Sequence, residues 1–141
     1  MFTGKYFIEK LNMKEHPEGG YYNECLKSGD IIDAKSVDSS FDGNRKLWTS
    51  IYFLLKDRDV SRFHRLKSDE IWYYHSGVPM VIHIINKNGE LERVKLGLDI
   101  ERGEQPQVLI PKGTIFGAVM DGTGYSLAGC MVSPGFEFGD F

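Results

Sequence analysis

Beyond residue 48 the chain falls into short apolar runs separated by polar breaks. TSIYFLL, DEIWYYHSG, PMVIHII, ERVKLGL, QVLIP, IFGAVM and YSLAGCMV are rich in β-branched and aromatic residues. Such side chains pack well on a pleated surface and favour strands. KDRD, NKNGE, GEQP, PKG and DGTG separate the runs, each supplying Gly, Pro, Asn or Asp for a turn. Strands recurring every ~8 to 12 residues predict an antiparallel sandwich or barrel. The beginning of the chain differs. KYFIEKLNM places apolar side chains at Tyr6, Phe7, Leu11 and Met13, a spacing that predicts one short helix. HPEGG breaks it. HPEGGYYNEC then reads as a loop leading into an edge strand, and SGDIIDAKSVDSSFDGNRK as an exposed hairpin or loop.

No repeat or linker interrupts the pattern, and 141 residues suit one domain, 1–141, with a single core. Hydrophobic residues make up 41% and charged residues 26%, the balance of a soluble globular chain. A net charge of −3 gives no general attraction to nucleic acid or to an anionic membrane. No run reaches the roughly 18 apolar residues that span a bilayer, and MFTGKYFIEKLNM is too charged for a secretory signal. Cys25 and Cys130 lie far apart without a C-x-x-C partner. These features predict free thiols and a cytoplasmic location.

The chemistry-bearing residues concentrate in FHRLKSDEIWYYHSG, residues 63–77. His64, Glu70 and Gly77 follow the spacing of the first cupin motif, which runs H-x-H, a short gap, Glu, then Gly. The second His of that motif is replaced by Leu66. The second motif, P-x-G-x-x-H, is matched by Pro111 and Gly113, with Phe116 in the place of its His. Two of the usual four metal ligands are thus carbon side chains, so no metal and no cofactor is expected. Strand alternation puts His64 with Leu66, and Glu70 with Trp72 and Tyr74, on inward faces. Tyr73 and His75 share the opposite face unless a bulge reassigns His75. Cys130 sits among apolar neighbours in LAGCMV and reads as a core residue.

HPEGGYY, SIYFLL, FHRLKSDEIWYYHSG, LGLDIERGEQPQVLIPKGTIFGA and LAGCMVSPGFEFGDF together resemble a cupin family without an assigned activity. The resemblance runs nearly end to end. It implies an all-β, cupin-type barrel (a double-stranded β-helix, or jelly roll) with a pocket at its wide mouth, often paired into homodimers. Members often carry a His where this chain has Tyr73. A weaker resemblance is to the nucleotide-sugar 3,5-epimerases, cupin-like enzymes that use no metal. Gly19, Gly20, Tyr22 and Glu24 approximate their R-G-x-F-x-E signature without its Arg.

Two functional expectations result. The first is a protein that binds a small anionic or sugar-like molecule in the barrel mouth, with Tyr22, Glu24, Trp72, His75 and Phe116 as binding residues. The second is a metal-independent sugar epimerase or isomerase. His64 is its general base, Glu70 orients that base, and Tyr74 returns the proton.

Overall fold

The computed structural model describes residues 2–137. The end of the SPGFEFGDF stretch, residues 138–141, lies outside them. A helix, α1 (Gly4–Lys10), opens the chain; its Thr3 cap accepts the Tyr6 N–H at 3.2 Å. It ends where Asn12 turns to a φ of 51°. Twelve strands follow: β1 (Lys14–Glu15), β2 (Tyr21–Lys27), β3 (Ile31–Asp33), β4 (Asn44–Lys46), β5 (Thr49–Lys56) and β6 (Val60–Arg65). After them come β7 (Asp69–Gly77), β8 (Met80–Ile85), β9 (Leu91–Leu96), β10 (Gln107–Ile110), β11 (Ile115–Met120) and β12 (Tyr125–Ser133). One sheet has the order β1-β2-β5-β12-β7-β10, and the sheet facing it β6-β11-β8-β9. All the ladders between these strands are antiparallel. The architecture is the all-β barrel that the strand spacing predicts.

The inner faces close on one core. Phe53, Leu55, Trp72, Met80, Ile82, Leu96, Phe116, Ala128 and Cys130 are buried there. A smaller cluster of Met13, Leu54 and Leu127 lies beneath Phe7, Ile8 and Leu11 of the helical segment. This is why β5 is apolar on both faces: Phe53 and Leu55 join the barrel core, and Leu54 the helix-covered side. Each such fully buried large side chain contributes roughly 1.5–3 kcal/mol.

Three register shifts shape the barrel. β7 slips against β12 between Tyr74 and Ser76, β2 against β5 at Cys25, and β6 against β11 between Ser61 and His64. In the last, two residues of β6 face the single Gly117. A Cβ at Gly117 would lie 2.7 Å from the Ser61 carbonyl oxygen, so the bulge closes only over glycine. The excursion SGDIIDAKSVDSSFDGNRK departs from expectation. It forms the β3–β4 hairpin, but Ala34 and Phe41 are fully buried, and Arg45 lies over the Phe41 ring at 5.0 Å.

HPEGG packs against the start of β6. Gly19 has a φ of +106°, and a Cβ there would meet the Val60 carbonyl oxygen at 2.0 Å. Gly19→Ala is therefore expected to cost at least about 2 kcal/mol, from backbone strain and displacement of the loop. Gly29→Ala, where nothing lies within 4 Å, should change stability by less than about 0.5 kcal/mol. Urea denaturation of both variants measures the contrast.

Candidate functional site

The site is built by the HPEGG loop and the bulge of β6. Within the loop the His16 N–H donates to the Gly20 carbonyl (2.8 Å), and the Gly19 N–H to the His16 carbonyl (3.0 Å). The Glu18 N–H donates to His16 Nδ1 at 2.9 Å. The bulged Arg62 holds the loop from outside. Its N–H donates to the Glu18 carbonyl at 2.7 Å, and its guanidinium to the Pro17 carbonyl. His16 is thereby set edge-on against Tyr22 and Phe53, with ring centres 5.1 and 5.6 Å away.

His64 leaves the same bulge on the inner side. Its Nδ1 lies 2.7 Å from the Arg62 carbonyl oxygen. A carbonyl only accepts, so this nitrogen carries the proton. The His64 ring rests 4.3 Å from that of Phe116 and 6.4 Å from that of His16. Glu70, on β7, is buried and accepts from the Trp72 indole N–H.

These residues border two adjoining cavities. A narrow inner chamber of about 50 Å³ is lined by His16, Tyr22, Glu24, His64, Glu70 and Phe136, among others. An outer vestibule of about 500 Å³ carries Arg65, Lys67, Lys87 and Lys112 with Glu18 and Asp38. His64 and Leu66 line both, and so form the boundary between them. Phe136 is delivered by the segment after β12: its N–H donates to Thr49 Oγ1 at 3.0 Å, and the Gly135 N–H to the Lys46 carbonyl at 2.8 Å.

Burial suppresses charge in the chamber. His16 falls to a pKa of about 4, through desolvation first and then the charges of His64 and Arg62. His64 is also lowered by desolvation, against opposing contributions from the Arg62 carbonyl and Glu18. Glu70 rises to about 7, because desolvation outweighs the hydrogen bond from Trp72. The Cys130 thiol is pushed well up by burial and by Glu70. That environment disfavours a reactive thiolate.

Four of the residues expected from sequence, Tyr22, Glu24, His64 and Glu70, line the chamber. Four others require correction. Trp72 and Phe116 are buried behind the wall, one bonded to Glu70 and the other supporting His64. Tyr74 faces inward but lies two rungs from Glu70, about 13 Å along the strand. Its hydroxyl is engaged by the Gly77 carbonyl at 2.6 Å. His75 lies at the bulge but on the outer face, over Gly129 and 6.1 Å from the Tyr52 ring. Glu70 does not orient His64 either; the Arg62 carbonyl does. His16 and Phe136 were not anticipated, and the close succession of His, Pro and two glycines was the available signal for a rigid, inward-turned loop.

The profile of the family described as Cupin superfamily (DUF985), Cupin_5, matches residues 5–141. The chain belongs to this cupin family. A Shewanella oneidensis protein of known crystal structure is 48% identical, with a TM-score of 0.88 over 99% of this chain and 83% of that one. A hypothetical protein from Leishmania major is 39% identical, also at 0.88, over 99% and 85%. An uncharacterised Saccharomyces cerevisiae protein is 26% identical, covering 94% of this chain and 71% of its own length. Oxalate decarboxylase from Bacillus subtilis shares the fold alone, at 17% identity and a TM-score of 0.61 over 89% of this chain and 28% of that one.

The metal positions of the cupin signature do not fit a metal here. Leu66 and Phe116 offer no donor atom, and the Glu70 carboxyl is bonded to Trp72. Among the described residues no three His, Cys, Asp or Glu converge as a ligand set.

Glu70 and His16 leave opposite marks on stability. A neutral buried Glu70 is favoured over its ion, so stability falls as pH rises from about 4.5 through about 7. A neutral His16 acts the other way: stability falls as pH drops from about 6.5 through about 4. The contributions overlap, and only a difference separates them. Glu70→Gln should gain on the wild type by on the order of 3 kcal/mol between pH 4.5 and 7.5. Denaturation midpoints across that range test it; parallel profiles would contradict a buried, neutral Glu70.

Proposed function

We propose that this cupin binds a small anionic molecule, its acidic group in the vestibule and its uncharged end in the chamber. The observation that carries the reading is the boundary at His64: Arg65, Lys67, Lys87 and Lys112, with Glu18 and Asp38, on one side of it, and on the other His16 and Glu70, which burial displaces toward their uncharged forms, beside the exposed Glu24. Lys112 pairs with Asp38 at 3.3 Å, and Lys67 donates to the Ser40 carbonyl at 3.1 Å. An entering anion would compete for both ammonium groups and retain charge-assisted hydrogen bonds. Calorimetric titration with inorganic phosphate, sugar phosphates and nucleotide sugars tests this. A double Lys67→Ala, Lys112→Ala variant should bind the best of them at least tenfold more weakly, and unchanged affinity would exclude the vestibule. His64→Ala should melt close to the wild type while losing about 1–3 kcal/mol of binding.

A second reading is metal-independent proton transfer, with His64 as base in a sugar epimerase or isomerase. It is favoured by the Arg62 carbonyl, which puts the lone pair of neutral His64 on Nε2. Incubation with sugar phosphates and nucleotide sugars in D₂O should then introduce deuterium at a carbon next to the carbonyl. Complete absence of exchange would remove this reading and leave the binding one.

Self-association belongs to the same proposal. β1 covers only Tyr21 and Tyr22 on the outer edge of β2, so a second copy has backbone groups to pair with. Light scattering at micromolar concentration should give about twice the 16.1 kDa chain mass; a monomer would refute it.

A further inference from the structure

The two imidazoles in the chamber are held in opposite tautomers by the backbone. Glu18 presents an N–H to His16 Nδ1, and an amide N–H only donates, so Nδ1 carries the lone pair and neutral His16 has its proton on Nε2. Arg62 presents a carbonyl to His64 Nδ1, so neutral His64 carries its lone pair on Nε2. Both rings line one chamber, with centres 6.4 Å apart. Around His16 stand Tyr22 of β2, Phe53 of β5 and His64 of β6. The charge of Arg62, like any on His64, opposes a second proton on His16. Whatever meets the ε nitrogens in the resting protein, the δ-side bonds make one of them a donor and the other an acceptor.

We propose that His16 and His64 form a donor–acceptor pair that recognises an α-hydroxycarbonyl group, its carbonyl oxygen accepting from His16 Nε2–H and its hydroxyl donating to His64 Nε2. This deepens the small-anion reading and rests on it. Ring centres 6.4 Å apart lie within the span of two N···O bonds of about 2.8 Å to oxygens on adjacent carbons. A carboxylate cannot satisfy the pair, because it offers acceptors alone and would set one against the His64 lone pair. The charge of the ligand therefore belongs in the vestibule and its hydroxycarbonyl end in the chamber. His16 becomes the group that polarises the carbonyl, a role open to a neutral imidazole whose donor direction is already set.

The test has two arms. Long-range proton–nitrogen spectra of the histidine side chains in the ligand-free protein at pH 7 should show His16 protonated at Nε2 and His64 at Nδ1. The reverse assignment, or rapid tautomer averaging in either ring, overturns the pairing. The second arm titrates dihydroxyacetone phosphate and inorganic phosphate into the wild type and His16→Asn. An Asn oxygen can accept the N–H two residues on, as His16 Nδ1 does, so the turn survives while the Nε2 donor is lost. Dihydroxyacetone phosphate should bind at least tenfold more weakly to His16→Asn, with phosphate affinity unchanged. Equal affinity of the two proteins for dihydroxyacetone phosphate overturns the proposal. So does a wild type that binds this probe no better than phosphate. If neither probe binds, the ligand class falls together with the anion reading, and the nitrogen spectra alone decide the tautomer pair.

Discussion

The backbone N–H and C=O of Arg62 are both bonded outside the sheet ladder, and both imidazoles take their aim from them. Its N–H donates to the Glu18 carbonyl, which places the turn in which the Glu18 N–H sets His16. Its carbonyl accepts the hydrogen bond of His64 Nδ1–H. A regular β6 would spend those groups on its neighbour β11 instead. The bulge frees them, and the bulge exists because Gly117 leaves room where any Cβ would strike the Ser61 carbonyl. A glycine on one strand thus determines the orientation of two histidines on other elements. Bulges commonly re-aim a side chain in this way; here one bulge aims two.

The second organising effect is desolvation. The same barrel wall that excludes water from the core reaches the chamber, so Glu70, His16 and Cys130 are all displaced toward their uncharged forms. A few ångströms further out, Arg65, Lys67, Lys87 and Lys112 border a cavity ten times larger, about 500 against 50 Å³. Charge and volume change together across His64. A ligand that is charged throughout would lose its hydration in the chamber without compensation, and one without charge would leave the vestibule cations unused. The proposed ligand is accordingly a molecule charged at one end only.

The strand pattern was legible because alternation and turn chemistry agree along most of the chain. DEIWYYHSG, for example, coincides with β7 from Asp69 to Gly77. Parity also put Glu70, Trp72 and Tyr74 on the inner face. It could not say how deep each would lie, since a period of two fixes a side chain's face and not its height along the barrel axis. Tyr74 was misplaced for that reason. His16 was missed for a different one: HPEGG has no periodicity, and a run with Pro and two glycines reads as punctuation. Its orientation depends on a hydrogen bond between Glu18 and Arg62, 44 positions apart in sequence, which no local pattern encodes.

The positions that carry metal ligands in the cupin signature have kept their inward direction and changed their chemistry. Leu66 and Phe116 fill space that a coordination sphere would occupy, and Phe116 supports the face of His64. In a metal-binding site the ion itself would fix the direction of the imidazole ε nitrogen. With carbon in two of the four places, something else has to do so, and the Arg62 carbonyl takes that part from the δ side. A peptide carbonyl fixes a tautomer more weakly than a metal would, but it places the lone pair on the ε nitrogen without coordinating it. On the proton-transfer reading, Leu66 and Phe116 in two ligand places and the Arg62 carbonyl on the δ side together leave His64 with the tautomer a base requires.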